Sequence, residues 1–496
     1  MIALMMSLVT LAADVEFAEA LADREASRSL VSYLSNVTID SRPEPRRLGD
    51  VWEPWQGRIV RPLVPAIEHA AGVRSDYKGP RRFWLTLPRG SDKTGLQGRI
   101  VNWLLSYAGR RMRISGAAAD RDQASLLRDS MLAEAVLNPW FGRHIRFNNY
   151  EAIGPGGRFE ILSSDAPTAS GRRDDVIVVD EPTYHKNRKL FDMLLSGMAK
   201  VPTSVLVVIT NAGVRGTWQW EVKEQAVKDP AWHVYESPPG AKLASWMRQD
   251  DIDSDRNKMT LSHARRVFDN VWTSQTDNAI LSSEMVAKCS RPARDVLWSG
   301  ETIPRGYKSG PLYLGFDVGR SQDVSAVAVF ERRPDGTVNL RVLRVMEKTP
   351  YDQQRSYVNK LMGRIGHRVV AGKVDQGGIG NQLAEELRKE HPVLRGVSCS
   401  SRWQGQAAVK VQLAFRREKA VIPDLPDLQL DLQQVEEAEV GAGGVSVIRT
   451  SRSDVGHADR FWACALALDA MPTERRASPV GAKVSESFLA GRRSRR

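Results

Sequence analysis

The chain is poor in cysteine: Cys289, Cys399 and Cys464 are the only three among 496 residues, and no two lie close enough for a CxxC pair. This excludes a disulfide-built scaffold and a zinc ribbon, and it fits a reducing compartment. No uncharged apolar stretch is long enough to cross a bilayer, so no membrane partner is expected. The apolar opening Met1 to Ala13 lacks a basic leader and runs at once into acidic residues, so an N-terminal helix is expected there rather than an export signal. Acid is in deficit as well. Lys and Arg number 71 against 59 Asp and Glu, and the net charge of +12 favours a polyanionic partner. At 42% hydrophobic residues the chain can build globular cores, and its length calls for two main domains with linkers and tails.

What is present centres on Val176-Ile177-Val178-Val179-Asp180-Glu181. Four β-branched residues in a row, apolar on both faces, predict a buried parallel strand. Open α/β sheets place ligands at the carboxyl ends of such strands. Two acids there suit Mg²⁺ on Asp180 and a water-activating base at Glu181. A core strand that ends at a charged turn is the plainer alternative.

Upstream, the predicted strand Phe83 to Leu87 leads through Pro88-Arg89-Gly90-Ser91-Asp92-Lys93-Thr94-Gly95 into a helix. Strand, glycine-containing loop, Lys-Thr and helix form the layout of a phosphate cradle. Backbone N–H groups around Gly90 and Ser91 and the helix N-terminus would face phosphates. Lys93 would meet β/γ oxygens, and the Thr94 hydroxyl would bind Mg²⁺. The pattern GxxxxGK[ST] asks for glycine at Leu87 and Asp92, and Asp92 adds a negative charge beside the phosphates. An ordinary β–α loop with basic residues is the alternative. Gln56, in Trp52-Glu53-Pro54-Trp55-Gln56 at a helix start, can offer its amide to both edges of adenine, although those residues alone favour a surface loop with a buried tryptophan. A second apolar strand, Val205 to Ile209, ends in Thr210-Asn211-Ala212-Gly213, small polar groups able to reach a γ-phosphate.

The second half opens with the strand Leu312 to Phe316, which delivers Asp317. Two further strands follow as an antiparallel meander, then a helix and a strand ending in Asp375. Near the C-terminus His457-Ala458-Asp459 begins a helix whose Ala463 shares a face with Asp459 and permits close packing on a sheet. Three aspartates so placed can hold two Mg²⁺ or Mn²⁺ ions, one activating water and one stabilising the leaving oxygen of a phosphodiester. Asp323 is a fourth candidate, Asp454 a rival for the third place, and His457 a possible helper. For any single aspartate a solvated turn or a helix cap is the alternative.

Taken in order, Glu53 to Gln56, Pro88-Arg89 through Lys93-Thr94, Ala117 to Ala124, Thr168 to Gly171, Asp180-Glu181 and Thr210 to Gly213 resemble the ATPase half of phage large terminases. The later acids resemble the RNase H-like nuclease that these proteins carry in this position. The resemblance runs from about Trp52 to Met471. It implies an α/β protein: a P-loop ATPase with a parallel sheet and a small lid subdomain, then an RNase H-like nuclease with a mixed sheet. The expected boundaries are 1–50 (N-terminal helical segment), 51–213 (ATPase core), 214–291 (lid), 292–311 (linker), 312–471 (nuclease) and 472–496 (basic tail). It further implies ATP and Mg²⁺ as cofactors, with Mn²⁺ usable in the nuclease. Arg89 would touch the γ-phosphate in cis, Gln56 would sense adenine, and Thr210-Asn211-Ala212 would couple hydrolysis to movement. Asp317, Asp375 and Asp459 would form the nuclease site. The implied activity is ATP-driven translocation of duplex DNA into a prohead, with endonucleolytic cleavage of concatemers. The implied partners are double-stranded DNA, a portal protein, a small terminase subunit and further copies in a ring, in the host cytoplasm and on the prohead. Arg215 is a candidate for an arginine donated to a neighbour. Two rival readings are an ATP-dependent helicase or remodeller without nuclease activity, and a non-enzymatic DNA-binding assembly component whose phosphate loop Asp92 disables.

Overall fold

Continuous apolar runs become buried parallel strands, and each half of the chain builds its own sheet around them. The computed structural model describes residues 19–472 apart from 119–120, 164–170, 186, 320–323, 378–379, 441–445 and 451–457. The expected N-terminal helix at Met1 to Ala13, the stretch from Thr168 to Ser170, Asp323, Asp454, His457 and most of the basic tail lie outside the described residues. The chain divides into two compact units. One comprises residues up to Ala279 with Glu437–Val447; the other comprises Ile280–Glu436 and the residues from Ile448 onward.

In the first unit, helix α1 (Pro54–Ala70) precedes strand β1 (Arg82–Thr86) and helix α2 (Lys93–Tyr107). Strand β2 (Met112–Ala118), helix α3 (Arg121–Leu137) and strands β3 (Arg146–Phe147), β4 (Glu151–Gly154) and β5 (Gly157–Ser163) follow. Strands β6 (Val176–Asp180), β7 (Val205–Thr210) and β8 (Trp232–Glu236) complete an eight-stranded sheet of order β8-β1-β7-β6-β2-β5-β4-β3. It is parallel from β8 to β5, with an antiparallel hairpin at the far edge. The register pairs Thr86 with Thr210 and Asp180 with Ile209, so β1, β7 and β6 end together at one carboxyl edge. Phe83, Trp84, Val178 and Val207 are fully buried, as strands covered on both faces require.

The second unit has a seven-stranded sheet. Strand β9 (Ser290–Arg291) is followed by β10 (Leu312–Asp317), β11 (Val324–Arg332), β12 (Val338–Glu347), β13 (Val369–Asp375), β14 (Leu394–Val397) and β15 (Ala420–Pro423), in the order β9-β15-β12-β11-β10-β13-β14. Strands β10 to β12 form the expected antiparallel meander, and β13 joins β10 in parallel. This is a mixed sheet, with the acid-bearing strands β10 and β13 side by side.

Two expectations of organisation change. Residues 214–291 are not one lid: Trp232–Glu236, a β-branched and aromatic run, joins the first sheet as edge strand β8, and Ile280–Arg291 group with the second unit. Residues 292–311 are no free linker. Buried Glu331 is held by Arg341 (2.7 Å), the Tyr307 hydroxyl (2.9 Å) and the Gly310 amide (2.8 Å), while the Arg341 guanidinium lies 5.6 Å from both the Trp298 and the Tyr307 ring, and so fastens this segment to the second sheet. Residues 421–447 begin within β15 and continue as a helix, Pro426–Gln433, before the paired strands Val435–Val440 and Ser446–Thr450. The tryptophans from Trp218 to Trp272 mostly pack inward, as expected of core residues: Trp220 meets Trp272 edge to face at 5.2 Å, and Trp218 lies 5.5 Å from Phe191. Trp246, half exposed, is the exception.

Candidate functional sites

At the carboxyl edge of the first sheet, the loop from β1 to α2 turns through Gly90 (φ +82°) and Asp92 (φ +49°) before the helix begins at Lys93. Gly90 suits this turn because its φ is positive; the atoms a Cβ there would meet belong to the flexible Met247 side chain. The Ser91 hydroxyl donates to the Pro88 carbonyl (2.8 Å) and is buried, so it braces the loop from within. Arg89 is exposed, and its backbone N–H donates to the Val267 carbonyl on helix α4 (Leu261–Asp269) at 2.6 Å.

The buried Lys93 ammonium donates to the Leu87 (3.3 Å) and Pro88 (3.2 Å) carbonyls and to Asn211 Oδ1 (2.6 Å), and lies 3.2 Å from Glu181 Oε1. The Thr94 hydroxyl stands 3.4 Å from Asp180 Oδ2, and Gln97 Nε2 donates to Asp180 Oδ1 at 2.9 Å. Burial, reinforced by the neighbouring Glu181 charge, pushes the Asp180 carboxyl up to about 7; Lys93, Gln97 and Thr94 pull the other way. Glu181 takes a left-handed backbone (φ +45°) that swings it off the strand axis toward β7. There it accepts from the Asn211 backbone N–H (2.8 Å), Asn211 Nδ2 (3.0 Å) and the Thr210 hydroxyl (3.3 Å). Thus Lys93, Thr94, Asp180, Glu181 and Asn211, widely separated in sequence, meet at one sheet edge.

The donor set suits a triphosphate with a hard cation. A hydroxyl and a carboxylate oxygen face each other where Mg²⁺ would be shared, beside an ammonium and a helix N-terminus. Gln56 sits at the third position of α1, buried, and its amide oxygen accepts from the Glu53 backbone N–H at 2.8 Å. It therefore caps the helix as well as offering an amide. Arg215 is exposed and stacks on the Trp220 ring at 5.4 Å.

Two residues of this site escape a motif reading. Gln97 lies one turn after Lys93 on the same helix face, and that i+4 spacing was the available signal. Tyr184 follows Glu181 in a short 3₁₀ turn; burial first, then the Glu181 charge, pushes its hydroxyl up to about 12, while a hydrogen bond with Asn211 opposes the shift. Only the fold brings it there.

In the second unit, Phe316 pairs with Val374, so Asp317 and Asp375 leave adjacent strand ends. Helix α5 (Asp459–Asp469) begins at the third acid and lies across β10. Small residues permit this approach: a Cβ on Gly315 would stand 2.0 Å from the Ala463 carbonyl oxygen and 2.4 Å from the Ala467 nitrogen. Burial, then the charges of Asp459 and Asp375, hold the Asp317 carboxyl well above the usual carboxylate range. The Gly377 amide donates to Asp375 Oδ1 at 3.0 Å. Cys399 sits against this acid group; burial, then Asp375, to which it hydrogen-bonds, raises its thiol. Among the described residues no group of three acids, histidines or cysteines is closed around a metal position. The three aspartates share an electrostatic field, and an all-oxygen donor set of this kind suits Mg²⁺ or Mn²⁺.

No protein-family model and no curated protein matches the chain. Solved structures do resemble it. The large terminase of bacteriophage HK97 is 16% identical, with 89% of this chain and 99% of that chain covered at a TM-score of 0.41. The large terminase of a thermophilic bacteriophage in complex with ATP-γ-S is 11% identical, covering 82% and 98% at 0.46. The large terminase nuclease of the thermophilic phage G20c with bound magnesium is 22% identical, covering 39% and 97% at 0.31. These likenesses are distant in both sequence and superposition, so the functional reading rests on this chain's own geometry.

Proposed function

We propose that this chain is a phage large terminase subunit, an ATP-driven motor for duplex DNA that also cuts it. The observation that carries the reading is the meeting of Lys93, Thr94, Asp180, Glu181 and Asn211 at one carboxyl sheet edge. The motif order and a separate group of three aspartates in the second unit narrow it from a general ATPase to a motor with a nuclease.

In the ATPase site, Lys93 would exchange Glu181 and Asn211 for phosphate oxygens. Glu181, oriented by the amide and side chain of Asn211, would then accept a proton from the attacking water. Thr94 and Asp180 would hold Mg²⁺, which neutralises charge developing on the phosphates. Arg89, on the exposed side of the loop, would reach the γ-phosphate, and Gln56 the base. In the nuclease site, Asp317, Asp375 and Asp459 would hold two divalent ions, which supply an activated water and a stabilised leaving oxygen. The net charge of +12 suits a DNA track. A portal protein, a small terminase subunit and a ring of further copies are the partners this function requires, at the prohead in the host cytoplasm.

The test combines two assays on one preparation: phosphate release from ATP with and without duplex DNA, and nicking of supercoiled plasmid across a range of Mg²⁺ and Mn²⁺. Both activities are expected. ATP turnover without nicking under any metal condition would favour the helicase or remodeller, and neither activity would favour the non-enzymatic component.

A further inference from the structure

Asp92 stands where a phosphate loop ordinarily has glycine, one residue before the lysine that would meet the phosphates. Its carboxylate is turned back along helix α2. Asp92 Oδ2 accepts from Arg99 Nη1 at 2.6 Å, two turns into the helix. Gly95 makes room for that path, since a Cβ there would lie 2.0 Å from Asp92 Oδ1. Arg99 is buried, and its Nε lies 3.0 Å from Glu134 on α3. Glu134 in turn accepts from the Tyr33 hydroxyl (2.8 Å) and Asn102 Nδ2 (3.2 Å). The arginine is thus fixed from behind, and the aspartate is fixed by the arginine. The Asp92 backbone is left-handed, a conformation glycine adopts freely and aspartate is among the few other residues to tolerate.

We propose that Asp92, Gly95 and Arg99 form a lock that replaces the loop glycine: it holds the left-handed turn and keeps a carboxylate off the triphosphate. The proposal rests on the ATPase reading above. Arg99 is a positioning residue; its role is to neutralise and aim Asp92. A carboxylate freed beside Lys93 would compete with the phosphates for the ammonium and repel them directly.

A mutant cycle on the full chain tests this, with a fluorescent ATP analogue titrated by anisotropy with and without Mg²⁺. The four proteins are the parent, Arg99→Met, Asp92→Gly and the double variant. The two proteins with Arg99→Met also carry Glu134→Gln, so that no buried carboxylate loses its partner and Arg99 keeps Glu134 wherever it is present, and each is checked by thermal melting. Arg99→Met is expected to weaken binding about tenfold or more while Asp92 is present, equivalent to ~1.4 kcal/mol. With glycine at 92 the same change should alter affinity no more than about threefold. A purely structural role for Arg99 would weaken binding equally in both backgrounds, and that result overturns the lock, as does no loss in either. If the parent binds no nucleotide while the melting temperatures still couple Asp92 to Arg99, the ATPase reading fails and the shielding role fails with it.

Discussion

Lys93 Nζ lies 3.2 Å from Glu181 Oε1, so the group suited to phosphate and the group suited to water are paired with each other. Asn211 binds both, accepting from Lys93 and donating to Glu181. Under the proposed function, a triphosphate entering this site would take over one partner of each, which would tie the release of Glu181 to the capture of Lys93. Glu181→Gln keeps the shape and one of the two Asn211 contacts, since only one of its terminal atoms can still accept, while removing the base. ATP turnover should fall about 10²- to 10⁴-fold with nucleotide affinity changed little. Steady-state phosphate release alongside analogue binding checks this; a variant that hydrolyses at the parental rate removes Glu181 from the chemistry.

How much of this was legible in the sequence depends on what kind of information placed each residue. The strands that carry Asp180, Asn211, Asp317 and Asp375 could be read, because unbroken β-branched runs have few other solutions and their ends fall at a shared edge. Ala463 was readable as a close-packing site, and Gly315 receives it. The fate of Asp92 was not readable, since it depends on a partner seven residues on that is itself pinned by another helix. Nor was the division of the chain. Pro292 to Pro311 has linker composition, yet Tyr307 and Trp298 meet Arg341 from a strand later in sequence. Tyr184 carries no motif and enters the site only through the turn after Glu181.

His263, on α4, offers a pH test of the first unit. Burial pushes its imidazole down from 6.5 to about 4, with Arg266 and Arg89 adding to the shift and Glu437 opposing it. The folded form binds a proton less readily than the unfolded chain. Its contribution is therefore complete above about pH 6.5 and is lost as pH falls toward 4, by roughly 3 kcal/mol in all. Melting of the parent between pH 7 and pH 4.5 should drop further than that of His263→Phe, which cannot titrate. Parallel curves would show that the imidazole is not a source of acid sensitivity.

Burial strains the Asp317 charge most, and the charges of Asp459 and Asp375 add to it. A divalent cation relieves that repulsion, so affinity for metal should depend on it strongly. Asp317→Asn is expected to abolish plasmid nicking and to weaken Mn²⁺ binding by calorimetry at least tenfold, while ATP turnover persists. Loss of both activities together would mean that the change acts through folding. Retained nicking would place the scissile chemistry elsewhere.

Helix α5 comes close to strand β10 at Gly315, and the nearest obstacles to a side chain there are backbone atoms, which cannot rotate away. Gly315→Val must therefore push α5 off strand β10. Overpacking of this kind costs about 1–3 kcal/mol or more. The more telling consequence is geometric, because α5 begins at Asp459 and a lifted helix carries that carboxylate away from Asp317 and Asp375. Gly315→Val should lose nicking and Mn²⁺ binding though every acid remains, with ATP turnover by the first unit unchanged. Gly315→Ala, with a smaller intrusion, should fall between the parent and the valine variant. A valine variant that nicks as well as the parent would separate the position of α5 from the assembly of the metal site.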